Sequence, residues 1–235
     1  MVKLFLDTSK IEEITRWRHL IEGVTTNPSI IAKEGGSLEE ICALVSPLPV
    51  SVEAGGDLYS EAHKLQDWLG KDGNLVVKIP FLNAKTGRDN LEVISKLVSE
   101  DFQINCTAIL SAGQYFLASK TGCKFISVFG GRVEDEGGDF QDILEICSWI
   151  NATATVGSIS ETIVGSIRTV GNVLDCIRAG VDIITIPPGI LEKMAMHRYS
   201  LETSKQFEGD YVPVDILKGI DSALEKTGKF PGYGR

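Results

Sequence analysis

Short apolar runs alternate along the chain with longer segments in which apolar residues recur at helical spacing. The short runs are Lys3–Thr8, Gly23–Asn27, Pro49–Ala54, Asn74–Pro80, Gln103–Leu110, Cys123–Gly130, Thr162–Arg168 and Val181–Pro187. They are rich in Val, Ile, Phe and Thr and bounded by Gly, Pro, Asn or Asp, so they read as strands. Helical patterns lie between them, among them Ile11–Ile21, Leu58–Leu69 and Arg88–Glu100. Gly70, Gly122 and Gly180 stand where helix C-caps belong. Strands separated by helices specify a parallel sheet, and eight of them is the number that closes a barrel. The expected fold is therefore α/β, a (β/α)8 TIM barrel over residues 1–196. Residues 197–235 form a C-terminal helical extension, whose Ile216, Leu217, Ile220, Ala223 and Leu224 make an apolar stripe. That stripe packs on its own barrel or on a neighbouring subunit.

An open doubly wound sheet is the main competing fold. Its nucleotide-binding form needs Gly-x-Gly-x-x-Gly after a strand. Gly35-Gly36, Gly55-Gly56, Gly130-Gly131 and Gly137-Gly138 are isolated pairs with the wrong spacing, and no Walker loop occurs. Nucleotide use is disfavoured.

Barrel strands are ordinarily apolar on both faces, because they meet helices outside and packed side chains inside. Polar residues near strand C-terminal ends therefore call for a reason. They are Asp7, Thr25, Asn27, Glu53, Lys78, Asn105, Thr107, Ser127, Ser166 and Arg168. Positions two apart share a strand face, so Thr25 with Asn27, Asn105 with Thr107 and Ser166 with Arg168 can point together toward the barrel mouth, where catalytic groups gather. Lys78 in Leu75-Val-Val-Lys-Ile-Pro80 reads either as an edge lysine reaching water or a structural ion pair, or as an amine activated by desolvation that can attack a ketone and form a Schiff base. Asp7 reads as an N-cap, although Thr8 and Ser9 could cap the same helix. Glu53 reads as a salt-bridge partner of Lys78. Together, two carboxylates and a lysine at three strand ends form a proton-transfer set.

Composition narrows the partners. The 235 residues hold 23 Lys and Arg against 32 Asp and Glu, a net charge of −9. An acidic surface argues against general nucleic-acid or anionic-membrane binding, without preventing capture of one small anion by local cations. Arg132 in Ser127-Val-Phe-Gly-Gly-Arg132 and Arg168 in Gly165-Ser-Ile-Arg168 supply such cations late in the barrel order, where phosphate sites are common. Either arginine could instead pair with Glu134, Asp135 or Glu136. The 5 cysteines, Cys42, Cys106, Cys123, Cys147 and Cys176, are widely spaced without Cys-x-x-Cys, as in a reduced intracellular chain. His19, His63 and His197 lack metal-ligand spacing, so no zinc site is expected. Asp7 falls too early for a signal-peptide core, and no apolar run is long enough for a membrane span. The expected location is cytoplasmic, and the glycosylation patterns at Asn105 and Asn151 are read as accidental.

The residues gathered so far resemble the short, single-barrel transaldolases and the related fructose-6-phosphate aldolases. The resemblance runs from about residue 3 to residue 196 and rests on six ordered pieces. These are Phe5-Leu-Asp-Thr8, Gly23-Val-Thr-Thr-Asn-Pro-Ser-Ile-Ile31, Val76-Val-Lys-Ile-Pro80, Asn105-Cys-Thr107, Ser127-Val-Phe-Gly-Gly-Arg132 and Gly165-Ser-Ile-Arg168. It implies that Lys78 forms a Schiff base with a ketose phosphate, that Asp7 takes the C4 hydroxyl proton, and that Glu53 moves protons through a water held with Thr107. It further implies that Asn27 and Asn105 bind hydroxyls of a dihydroxyacetone unit, that Ser127 lines the site with Thr25 and Phe129, and that Arg132, Ser166 and Arg168 hold phosphate. No cofactor or metal is implied.

Glu53 and Phe129 stand where aldolase members tend to carry Gln and Tyr, which favours transaldolase over fructose-6-phosphate aldolase. A catalytically silent sugar-phosphate-binding protein is the third reading. Departures from the family pattern are Val128, Gly130, Leu110 and the Pro187-Pro188 pair. Short members commonly pass the C-terminal helix to a neighbour, so a homo-oligomer, a pentamer or decamer, is expected.

Overall fold

The computed structural model describes residues 1–153 and 160–218. Eight strands close a barrel in the order β1 to β8, every neighbouring pair parallel and β8 returning to β1. They are β1 (Lys3–Asp7), β2 (Gly23–Thr25), β3 (Val50–Glu53), β4 (Leu75–Pro80), β5 (Ile104–Ile109), β6 (Phe125–Phe129), β7 (Glu161–Gly165) and β8 (Ile183–Ile186). The helices follow the strands: α1 (Ile11–Trp17), α2 (Pro28–Glu34), α3 (Leu38–Val45), α4 (Leu58–Leu69), α5 (Leu91–Ser99), α6 (Ala112–Ala118), α7 (Gly130–Asp135), α8 (Phe140–Ala152), α9 (Val170–Ala179) and α10 (Pro188–Ala195). Each expected strand is present; seven are trimmed by a residue or more, and β7 begins one residue early at Glu161 and ends three early at Gly165. The chain divides into two compact units, Met1–Glu192 and the residues from Lys193 onward. The second unit carries α11 (Arg198–Asp210), none of whose residues is buried. Of the apolar stripe, Ile216 and Leu217 are exposed, while residues 220, 223 and 224 lie outside the described residues.

Strand alternation sorts each strand onto two faces. Leu6, Val24, Val50, Val52, Val77, Ile79, Ile104, Cys106, Ile126, Val128 and Ile184 join the large core beneath the helices. Phe5, Val76, Phe125, Ile163 and Ile183 form a separate buried cluster. They are the opposite-facing residues of β1, β4, β6, β7 and β8, so this cluster is the apolar plug inside the barrel. Phe5 and Phe125 meet edge to face at 5.8 Å, a contact of about 0.5–1.5 kcal/mol beyond simple burial. Gly23 pairs in register with Phe5, and a Cβ at Gly23 would lie 2.5 Å from the Phe5 ring. The plug therefore requires glycine there.

Local chemistry explains where helices depart from expectation. The helix expected from Arg88 starts at Leu91, because residues 82–89 fold back on themselves. Asn83 Oδ1 accepts from the Lys85 and Thr86 amides, and Leu82 bridges Asp89. Thr8 and Ser9 do not cap α1, whose N-cap is Lys10 with no side-chain bond. Instead the Thr8 hydroxyl and the Ser9 amide both donate to Glu34 at the end of α2. Gly180 ends α9 in the left-handed conformation. Gly70 ends α4 with right-handed geometry, and Gly122 lies beyond α6, whose C-cap is Ser119. Pro188 opens α10 at the first helical position, where a missing N–H costs nothing.

Candidate active site

Above the apolar plug the same inward face turns polar. The residues two positions further along these strands are Asp7, Lys78, Ser127, Gly165 and Thr185, and Thr25 stands two positions beyond Gly23 on β2. All of them line one cavity of about 470 Å³, together with Asn27, Pro28, Ser29, Glu53, Phe129, Arg132 and Ser166. Register explains the grouping, since Asp7 pairs with Thr25, Glu53 with Lys78 and Lys78 with Asn105 across adjacent strands.

Lys78 is 4% exposed. Its Nζ donates to the Thr26 carbonyl oxygen at 2.9 Å and lies 3.9 Å from Glu53 Oε2. Burial lowers the proton affinity of this amine, and the charges of Asp7 and Glu53 oppose the change only partly. Burial likewise raises the Asp7 and Glu53 carboxyls above their ordinary range. Lys78 opposes the rise at both, and at Asp7 so does a 2.7 Å hydrogen bond from the Thr25 hydroxyl. An amine that gives up its proton more readily beside carboxyls that hold theirs more tightly is a set suited to exchanging protons.

Asn105 and Thr107 are buried and are not among the residues that line the cavity. Asn105 Nδ2 donates to Ser51 Oγ at 3.2 Å, and Ser127 Oγ donates to Asn105 Oδ1 at 2.7 Å. This chain holds both the amide and the serine. Thr107 Oγ1 is buried with no hydrogen-bond partner, an arrangement that suits a water or a ligand hydroxyl. Thr107 precedes Ala108, whose backbone is left-handed and where the β5–β6 register shifts.

The two arginines differ. Arg132 lines the cavity and forms no ion pair among the described residues. Arg168 makes two 2.5 Å hydrogen bonds to the Asp135 carboxylate, which holds that carboxyl below its usual range. The expected alternation from Ser166 to Arg168 fails for a local reason. β7 ends at Gly165, and Ser166 has φ 59, which turns the chain. Ser166 reaches the cavity while Arg168 points to Asp135. Gly131 makes this turn feasible. Its N–H donates to the Ser166 carbonyl at 3.2 Å, and a Cβ there would strike both that oxygen and Arg168 Nε. Asn27 is the N-cap of α2, its side chain accepting from the Ile30 amide at 2.9 Å, yet it also lines the cavity. At Gly130 the Phe140 ring fills the space a side chain would need.

Thr185 was not singled out from sequence. It is a β-branched residue in Ile183-Ile-Thr-Ile186 and passes for an ordinary strand former. Its only distinguishing signal is position, two residues beyond an inward apolar side chain. All five cysteines are buried, and none of them forms a disulfide. Burial raises the thiols of Cys106, Cys123, Cys147 and Cys176, so none of these four supplies a thiolate. Among the described residues no cluster of His, Cys, Asp and Glu could hold a metal, and no helix is long and apolar enough to cross a membrane.

Comparison with known proteins adds ancestry to this geometry. Residues 4–225 match the family described as Transaldolase/Fructose-6-phosphate aldolase. A probable transaldolase of Clostridium tetani is 34% identical over 221 residues, covering 89% of this chain and 98% of that one. One from Nitrosopumilus maritimus is 35% identical over 210 residues, covering 83% and 88%. Among solved structures, a putative lactate oxidase of Pediococcus acidilactici aligns with a TM-score of 0.58 at 12% identity. That alignment covers 79% of this chain and 62% of the oxidase, and it speaks for the barrel alone.

Proposed function

Because this chain belongs to the transaldolase/fructose-6-phosphate aldolase family, we propose that it is a transaldolase that works through a Schiff base on Lys78. The observation that carries the reading is the buried Lys78 amine, 3.9 Å from Glu53 and facing Asp7 across one cavity. Neutral Lys78 attacks C2 of a ketose phosphate, sedoheptulose 7-phosphate or fructose 6-phosphate. Glu53, with a water held at the unpartnered Thr107 hydroxyl, protonates the departing C2 oxygen, which leaves as water. The resulting iminium withdraws electrons from C3. Asp7 takes the C4 hydroxyl proton, the C3–C4 bond breaks, its electron pair forms an enamine on Lys78, and an aldose phosphate departs. The enamine then adds to the carbonyl carbon of glyceraldehyde 3-phosphate or erythrose 4-phosphate. Asp7 returns its proton to the new hydroxyl, and water releases the product from Lys78.

Binding follows the cavity wall. Asn27, Thr25 and Ser127 address the dihydroxyacetone hydroxyls, with Asn105 behind the wall acting through its bond from Ser127, and Phe129 supplies an apolar wall without a hydroxyl to hold a hydrolytic water. Arg132 and Ser166 address the phosphate. Arg168 joins them once it leaves Asp135. Transfer rather than release is favoured by Glu53 and Phe129 at the cavity. The activity belongs to sugar-phosphate interconversion of the pentose phosphate type, in the cytoplasm. Exposed Tyr199, Leu201 and Phe207 on α11 support a homo-oligomer, which light scattering would size.

Borohydride reduction in the presence of fructose 6-phosphate, followed by peptide mapping, tests the chemistry. An adduct on Lys78 is expected, and its absence would remove the enzyme reading in favour of a silent binder. Measuring turnover with and without an aldose-phosphate acceptor tests the class. Acceptor-independent release of dihydroxyacetone would make the protein an aldolase.

A further inference from the structure

Thr185 stands among Ile183, Ile184 and Ile186 on β8, is 5% exposed, and lines the cavity with Asp7 and Lys78. Its hydroxyl oxygen lies 2.5 Å from Thr25 Oγ1, and Thr25 Oγ1 lies 2.7 Å from Asp7 Oδ1. With Asp7 ionised, as its role as a base requires, proton counting fixes the direction of both bonds. An ionised carboxylate only accepts, and a hydroxyl carries one proton. The Thr25 proton must therefore point at Asp7, so Thr25 accepts from Thr185. Among the described residues the Thr185 side chain makes no other hydrogen bond, and nothing competes for its proton. We propose that Thr185 is a positioning residue for the Asp7 base, its hydroxyl fixing the polarity of a Thr185–Thr25–Asp7 chain that favours the carboxylate ion. The inference rests on the role given to Asp7 above.

Chains of this kind polarise one another, so a donor behind Thr25 makes Thr25 a better donor to Asp7. Protonating Asp7 removes the negative charge that makes it a strong acceptor, so the Thr25 hydroxyl, polarised by Thr185, holds the ion better than the neutral acid. Three groups face Asp7 from elements packed against β1: Lys78 on β4, Thr25 on β2 and Glu34 on α2. Lys78 and Thr25 favour the ion, whereas burial and Glu34 oppose it. Thr185 strengthens the favourable side through Thr25. Were Thr185 merely a strand-forming filler, its volume would matter and its hydroxyl would not.

The experiment separates volume from hydroxyl. Thr185→Val keeps the shape and removes the donor, Thr185→Ala removes both, and Thr185→Ser keeps the donor. Thermal unfolding checks that each is folded, and kcat, KM and the pH profile of kcat/KM are measured with fructose 6-phosphate and an aldose-phosphate acceptor. Losing one hydrogen bond of ordinary strength should lower kcat about 3–10-fold and move the acid limb upward by about half to one pH unit. KM and borohydride trapping on Lys78 should stay unchanged. The Val and Ala variants should share the shifted limb, and Ser should keep the wild-type limb. A limb that does not move, or that follows side-chain volume, overturns the proposal. Absence of a Lys78 adduct in the wild-type protein would instead overturn the underlying reading and the inference with it.

Discussion

Glu53→Gln sets two effects of one carboxylate against each other. At 3.9 Å from Lys78 Nζ, a carboxylate stabilises the ammonium by about 4 kcal/mol at an effective dielectric of ~20. The Glu53 side chain is 21% exposed, and water reaching it reduces that figure, but the charge still helps Lys78 keep its proton. Removing the charge lets Lys78 lose its proton at lower pH, which favours nucleophilic attack. The same substitution removes the group positioned to protonate the departing C2 oxygen, a contribution of about 10²–10⁴ in rate. Burial already weakens the hold of Lys78 on its proton, so the gain in neutral amine should be the smaller effect and the lost acid should dominate. Single-turnover borohydride trapping as a function of pH reads both effects. Trapping should slow about 100-fold, and its onset should move to lower pH. An unchanged profile, or faster trapping at every pH, would refute Glu53 as the proton carrier.

Asp7→Asn should retain the Lys78 adduct and lose C3–C4 cleavage by about 10²–10⁴-fold, read as trapped complex without aldose-phosphate release. The same variant should be more stable near neutral pH. Burial raises the native Asp7 carboxyl above its unfolded value. Stability from that group is therefore complete below the unfolded value and lost as pH rises through the native one. Asparagine stays neutral, so Tm should rise by about 2–4 °C at neutral pH and the gain should vanish in acid. Asp135→Asn frees Arg168 from its internal anion, and KM for a sugar phosphate should fall about 2–5-fold while unphosphorylated acceptors respond unchanged. Tyr115→Phe removes a buried hydroxyl bonded to Thr162 and Asn151. It should cost about 1–3 kcal/mol in chemical denaturation without altering kcat.

The barrel was legible because apolar runs and helical spacing repeat at regular intervals, and because a charge within an apolar strand is costly enough to mark Lys78, Asp7 and Glu53. What escaped the sequence was set by geometry finer than period two. Ser166 and Arg168 read as a same-face pair, but a single left-handed residue after Gly165 sends them apart. The choice of which arginine pairs with the acidic run Glu134-Asp135-Glu136 depends on that turn and on Gly131. Thr185 escaped because threonine is as good a strand former as valine, and its hydroxyl acquires meaning only beside Thr25. Thr8 and Ser9 have the chemistry to cap α1 locally, whereas the partner they take, Glu34, is 25 to 26 residues away.

The inward face of the barrel explains how one fold keeps a lysine both dry and reachable. Phe5, Val76, Phe125, Ile163 and Ile183 pack as a dry cluster below the site, and the cavity lies on the opposite side of them from the strand N-termini. On β4 the seal and the nucleophile are two residues apart, Val76 and Lys78; on β1 the seal and the base are Phe5 and Asp7. A slip of one residue in either strand would exchange the inward set for the helix-facing one and expel both at once. The register that closes the core is thus the register that aims the chemistry. Gly23 joins the two requirements. It makes room for the Phe5 ring and pairs with it in the sheet, and two residues further on Thr25 pairs with Asp7. The energy that seals the plug also holds the charged groups out of bulk water. Their unfavourable burial is the source of the shifted proton affinities, so a more stable barrel mouth would be a less reactive one.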